Sequence, residues 1–297
     1  MSLFDIVIPL GPNEYSRFSI QLKNVLSSII GFRNVYIVCS NTCADMVNKL
    51  LENIGKKNIV VIDESIFPFS ISDLLAIYPK QNRVGWYFQQ LLKLYAGSVI
   101  PDILQDYLVI DADVFFIRPI NMFSQGTQDG QVIFDVGSEF HPPYFKHMLR
   151  LHPCFKRMST RNIKVIDSGK PSFTMFNNRN TINEFVSGIN HHMMFRKQWL
   201  DELFLMVEAS CKEPSTPFWK IFMQCVDEHL NHAPEIIESG ASEYELYFHF
   251  LLQFHPNEIV LRKLNWKNVG RNTNVENLQD IQVQTNLDFI SVCHWMN

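Results

Sequence analysis

The chain has 297 residues, 46% of them hydrophobic and 19% charged, with 26 basic and 30 acidic side chains for a net charge of −4. These values exclude a disordered chain and provide enough apolar surface for a thick core. No basic run is long enough to follow a phosphate backbone, which excludes nucleic acid as the main partner. The opening MSLFDIVIPLG has no basic residue before Arg17, so it reads as neither a signal nor a transit peptide. No apolar run approaches the roughly 18 residues of a transmembrane segment. Of the six cysteines only Cys39 and Cys43 are close, without zinc-site spacing, so reduced thiols and a cytoplasmic location are expected.

Taken in order, FDIVIPL (4–10) predicts a buried first strand that opens into a loop at Pro9 to Pro12. Helical spacing from Tyr15 to Ile30 is followed by a strand at Val35–Ser40, a helix at Ala44–Asn53 and a strand, NIVVID, ending at Asp63. This alternation is the mark of a parallel sheet flanked by helices. Val84, Phe88, Leu91, Leu92, Tyr95 and Val99 fall on one side of a helix, with Gln89, Gln90 and Lys93 on the other. That helix delivers the chain to YLVIDADVFFIRP (107–119).

Beyond Pro119 the pattern is mixed. A strand is expected at Gln131–Val136, a helix at Pro143–Leu151, a strand at Ser172–Asn177, and helices at Lys197–Ala209 and Pro217–Leu230. Thr216 and Pro217 read as the cap and first-turn proline of the last of these. Another helix is expected from Ser242, which has capping-box spacing to Glu245, and the tail carries a strand-like DFISVC (288–293) before His294. With no repeat or linker, the expected organisation is one domain over residues 1–297. In it, about 1–119 form a nucleotide-binding half and about 120–297 an acceptor half.

The chemistry concentrates at Asp111 and Asp113. Residues i and i+2 of an extended chain point the same way, so both carboxylates leave one face at the end of a buried strand. Two hard oxygen donors side by side suit Mg²⁺ or Mn²⁺ with room for substrate phosphates. Ligands of open α/β sheets bind beyond the carboxyl ends of the strands, where Pro9, Leu10, Asp63, Asp111 and Ala112 all fall.

Together with GWYFQQLLKLYAG (85–97) and DIVIPLGPNE (5–14), the run VIDADVFFIRP resembles the GT-A class of nucleotide-sugar-dependent glycosyltransferases. The closer resemblance is to a bacterial and viral branch that shares patches similar to NHHMMFRKQWLDEL (190–203) and SEYELY (242–247), and it spans Asp5 to His294. It implies a Rossmann-like, GT-A-like α/β fold and transfer of a sugar, with a UDP-sugar favoured, to a hydroxyl of a glycan or other acceptor. In such enzymes the aspartate pair holds a divalent ion on the donor diphosphate and a carboxyl-terminal histidine completes the coordination. His294 is that candidate here, and an imidazole ligand favours Mn²⁺ over Mg²⁺.

An inverting transfer needs a general base. Glu245 has a capping role, which leaves Glu243, in the same first turn and with no local partner, as the candidate; in a retaining reaction Glu243 orients the acceptor instead. Of the adjacent His191 and His192, one is expected to face a phosphate or sugar hydroxyl and the other to pack, the sequence not deciding which. Arg83, in the loop before the helix, is preferred to Lys93 as the donor-side cation, Asp63 is a partner for the base or ribose, and Trp86 is a stacking surface. The rivals are a haloacid-dehalogenase-like phosphatase using Asp111 and Asp113, a nucleotidyltransferase of related fold, and a non-catalytic sugar-binding domain. The phosphatase is disfavoured because its nucleophile normally lies near the start of the chain. The nucleotidyltransferase is disfavoured because the opening loop has one glycine and no early basic residue.

Overall fold

The computed structural model describes residues 3–54, 58–79, 81–123, 131–159, 163–167, 170–173, 186–226, 239–276, 278 and 285–293. The elements run β1 (Phe4–Pro9), α1 (Tyr15–Ser28), β2 (Ile29–Ile30), β3 (Phe32–Cys39), α2 (Asn41–Ile54), β4 (Ile59–Asp63), α3 (Ile71–Ile77), α4 (Gln81–Val99) and β5 (Asp106–Ile110). They continue with β6 (Val114–Phe116), β7 (Ile120–Asn121), β8 (Val132–Asp135), α5 (Pro142–Leu151), β9 (Lys164–Asp167), β10 (Lys170–Phe173) and β11 (His192–Arg196). The last are α6 (Lys197–Ser210), α7 (Phe218–Gln224), α8 (Glu243–Phe254), β12 (Ile259–Lys263), β13 (Trp266–Gly270) and β14 (Phe289–Cys293).

The fold is α/β, with a mostly parallel central sheet in the order β11-β5-β1-β3-β4. All its neighbours pair in parallel except β11, which lies antiparallel on β5. β1 is buried throughout and β5 in four of its five residues. That is why they read as unbroken apolar runs: both faces of such a strand are covered. From β1 the chain builds outward to β3 and β4, then returns through α3 and α4 to place β5 on the other side of β1. The reversal creates a switch point between the carboxyl ends of β1 and β5, where such sheets open a ligand crevice. Three smaller sheets follow, β10-β9-β12-β8, β13-β14-β6 and β2-β7, the first two mixing parallel and antiparallel pairs. One core cluster takes in residues from Phe4 to Phe289.

Several expectations are corrected. The first helix ends at Ser28 because Ile29 and Ile30 pair with β7. α3, which the sequence pattern did not suggest, starts at Ser70 with a full capping box to Asp73. Thr216 does not cap α7: its hydroxyl donates to the Glu213 carbonyl, and the Glu208 carboxylate accepts from the Phe218 N–H instead. On the polar side of α4, Gln90 and Lys93 are buried. β11, β12 and β13 are short strands without clear alternation, so the sequence pattern does not mark them. The strand expected at Ser172–Asn177 is observed as β10 up to Phe173. Residues 174–177, 227–230 and His294 lie outside the described residues.

Candidate metal centre

The segment 239–243 runs alongside α4 and is fixed to it rung by rung. Arg83 donates to Ser239 Oγ (3.4 Å), the Tyr87 hydroxyl accepts from the Gly240 N–H (2.9 Å), and Gln90 Nε2 donates to the Ala241 carbonyl (3.3 Å). Gln90 Oε1 then accepts from the Glu243 N–H (3.1 Å). The ladder ends with Lys93 Nζ 2.6 Å from Glu243 Oε1 and 2.5 Å from Asp111 Oδ1. A buried ammonium therefore lies between two carboxylates. Glu243, taken from the sequence as having no local partner, has this one, because the polar side of α4 is buried against it.

Asp111 is held on both oxygens. Oδ1 also accepts from the Tyr244 hydroxyl (3.0 Å), and Oδ2 lies 3.3 Å from His191 Nδ1. The Asp111 N–H donates to the His191 carbonyl (2.9 Å), which ties the end of β5 to the residue before β11. His191 is in the left-handed region at φ 57°, a conformation uncommon outside glycine that marks functional positions at a cost of about 1–3 kcal/mol. The segment before it rests on α8, where Glu245 accepts from Ser187 Oγ (2.7 Å) and the Gly188 N–H (3.2 Å). Only glycine fits at 188, where a Cβ would come within 2.8 Å of the Tyr244 carbonyl. Glu245 is thus no capping-box partner in full: Ser242 Oγ accepts its N–H (3.3 Å), but its carboxylate anchors the His191 segment.

Asp113 differs from Asp111. Its Oδ1 is buried with no hydrogen-bond partner among the described residues, while its backbone carbonyl accepts from the Val292 N–H of β14 (2.9 Å). Donor atoms of Asp111, Asp113 and His191 all lie within 4.8 Å of one another. Burial pushes the Asp113 carboxyl up to about 6, the nearby imidazole only partly offsetting it. Burial also acts upward on Asp111, but the Lys93 charge and the His191 hydrogen bond outweigh it and hold that carboxyl well below the usual range. For His191 burial acts downward, yet the Asp111 hydrogen bond and the two negative charges leave the imidazole raised. Burial raises Glu243 despite Lys93. Two carboxylates, one with an orphaned buried oxygen, and an imidazole are a donor set that fits a divalent ion of the Mn²⁺ type.

The expected site residues divide sharply. Asp111, Asp113, His191 and Glu243 come together, with Ala112 buried between the aspartates. Pro9 and Leu10 end β1 at the switch point, and the Leu10 N–H is committed to the Val38 carbonyl (2.8 Å). Asp63 sits three strands from Asp111, roughly 14 Å across the sheet, and accepts from the Ser65 N–H (2.9 Å). Arg83, preferred to Lys93 and expected in a loop, lies within α4 instead, ten residues before Lys93 and about 15 Å along the helix. Its guanidinium is 5.5 Å from the Trp86 ring, which stacks on Tyr144. His192 packs away from the cluster. Lys93, weighed and ranked below Arg83, is the cation that joins the cluster, and Tyr244, which the sequence does not single out, joins it too.

The acidic cluster lies at the switch point of an open α/β sheet, the place where such folds open a ligand crevice. Residues 3–267 match the family described as DUF6492, a family of unknown function, and the chain belongs to that family. No curated protein matches. Among solved structures, mouse xyloside xylosyltransferase 1 in its apo form is similar at 10% identity and a TM-score of 0.43, covering 98% of this chain and 97% of that one. An active-site mutant of LgtC is similar at 12% identity and a TM-score of 0.47, covering 98% and 88%. The galactosyltransferase LgtC with donor and acceptor sugar analogues gives 12%, 0.46 and the same coverage. Likeness at this level says nothing about activity.

Proposed function

We propose that the chain is a metal-dependent, GT-A-like glycosyltransferase that moves a sugar from a nucleotide diphosphate donor, a UDP-sugar favoured, to a hydroxyl of a glycan or related acceptor. The observation that carries the reading is the convergence of Asp111, Asp113 and His191 at the carboxyl end of β5, at the switch point between β1 and β5. Those three side chains would hold Mn²⁺ or Mg²⁺. When bound, such an ion supplies the positive charge that a departing nucleoside diphosphate requires.

The chain's own residues do the positioning. Lys93 and Tyr244 fix one oxygen of Asp111, so the other faces His191 and Asp113. Glu243 is engaged by Lys93, and in this reading it holds that ammonium in place rather than taking a proton from the acceptor. Double engagement of Asp111 also speaks against a phosphatase, whose nucleophilic aspartate needs an oxygen free for in-line attack. Within the described residues no helix is long and apolar enough to cross a membrane, and the six cysteines are free thiols; a cytoplasmic location is part of the proposal.

Calorimetric titration of UDP onto the wild-type protein, with and without Mn²⁺, tests the reading. Binding should depend on Mn²⁺ and disappear in Asp113→Ala. Equal UDP affinity in the variant, or steady release of phosphate from p-nitrophenyl phosphate by the wild type, would sink it.

A further inference from the structure

A cleft of about 720 Å³ lies between residues 136–139, 263–268 and 285–287, a size typical of small-molecule sites. None of Asp111, Asp113 and His191 lines it. Trp266 connects it to the acidic cluster. The half-buried indole lines the cleft, stacks on Phe289 (5.3 Å, 10° between planes) and meets the His191 ring at 5.2 Å. A molecule held there sits beside the candidate metal centre without touching its ligands.

The charge reaching the cleft is positive in balance. Lys263 ends β12 and Lys267 is the second residue of β13, so the two flank the short connection at 264–265. Both are exposed and both line the cleft. The connection between them is pinned, because the Asn265 N–H donates to Asp288 Oδ2 (2.8 Å) and the Asp288 N–H to the Asn265 carbonyl (2.6 Å). Asp288 does not cancel the lysines: its side chain keeps 9% of its surface exposed and has its own cation, Arg118, with Nη1 3.6 Å from Oδ1. Among the described residues the lining holds one acid, Glu139, against the two ammonium groups.

An anionic sugar matches this arrangement. The C–H groups of a pyranose pack on an indole, its hydroxyls meet Ser138, Asn265 and Asn286 in the lining, and an acidic substituent gains charge-assisted hydrogen bonds from the lysines. A nucleoside diphosphate is as anionic, but it belongs on the ion, and none of the ion's proposed ligands lines the cleft. We propose that the cleft is the acceptor subsite and that it takes a sugar carrying a carboxylate or a phosphate, which Lys263 and Lys267 select over a neutral one. The acceptor role rests on the glycosyl-transfer reading, whereas the binding itself needs neither metal nor nucleotide.

Saturation-transfer NMR titrations on the full chain without metal test it, with glucose, glucuronate and glucose 6-phosphate as probes. At least one of the anionic sugars should bind more tightly than glucose, and the tighter of the two identifies the acidic group. Neither inorganic phosphate nor UDP with Mn²⁺, at concentrations that saturate the UDP site, should displace it. All three charged residues of the lining are exposed, so their substitution leaves the core intact. Lys263→Gln combined with Lys267→Gln should weaken the anionic sugar about tenfold, and Glu139→Gln should strengthen it about twofold. Equal binding of glucose, displacement by UDP or by inorganic phosphate, or unaltered binding in the double variant overturns the assignment. Absence of sugar binding in a protein that binds UDP with Mn²⁺ overturns it too and leaves glycosyl transfer standing. Anionic-sugar binding without any UDP binding supports the cleft as a sugar site and removes the transferase reading.

Discussion

His191 and His192 are neighbours in sequence and belong to clusters of opposite character. His192 Nε2 lies 2.9 Å from Asp135 Oδ2, and Arg262 grips the same carboxylate through Nε (2.6 Å) and Nη2 (2.7 Å). Phe116 and Phe289 close around the imidazole edge-on. There one carboxylate meets one guanidinium and both Asp135 oxygens are satisfied. Around His191, Asp111 and Glu243 share the Lys93 ammonium, and a third carboxylate, Asp113, keeps an oxygen unpartnered among the described residues. The balanced cluster holds structure together. The other holds more carboxylates than cations, which is the arrangement the proposed divalent cation would neutralise.

The comparison breaks most visibly at the two aspartates. Asp135→Asn leaves the Arg262 charge without its counterion, and removing one partner of a buried pair costs about 3–5 kcal/mol; urea unfolding should show a loss of that size. Asp113→Asn removes a carboxyl that burial already disfavours, so its unfolding midpoint should stay level or rise while Mn²⁺ affinity collapses. A large loss of stability in Asp113→Asn would mean that the second cluster is structural too.

The histidines give the next contrast. His192→Ala opens a cavity and removes a donor from Asp135, at about 1–3 kcal/mol, without altering metal affinity. His191→Ala should cost less stability, since its side chain keeps 21% of its surface exposed where that of His192 keeps none. It should weaken Mn²⁺ binding at least about tenfold. Calorimetry and thermal melts on both variants separate the two roles, and equal metal affinity in His191→Ala counts against its place as a ligand.

The smallest effect is a pH dependence. Burial acts upward on Asp135, but Arg262 outweighs it and holds the carboxyl at about 2, against an ordinary value of 3.8. A depressed carboxyl contributes stability that is fully present above its unfolded value and is lost as pH falls through its folded one. The wild type should therefore lose stability from about pH 4 down towards 2 more steeply than Asp135→Asn. Parallel curves would show that Asp135 is not the group responsible.

Local rules made much of the molecule legible. The alternation of strands and helices up to Asp113 could be read because most elements there carry their own period, and the aspartate pair because two residues on one strand share a face without help from the rest of the chain. The capping relation of Ser242 was legible in part for the same reason. Lys93 was not, since its burial depends on a segment some 150 residues later that covers the polar side of α4. Nor was the choice between His191 and His192, which turns on a left-handed backbone and on β11 joining β5 in antiparallel register.

By itself, then, the sequence determined the α/β class, the parallel half-sheet and the two carboxylates at its edge, because hydrophobic period and residue spacing act over a few residues. Only the tertiary structure decided which of His191 and His192 joins those carboxylates and that Glu243 is paired with Lys93. Those outcomes depend on long-range packing and on the cost of leaving buried charges unpartnered, and neither is written in any single stretch of the chain.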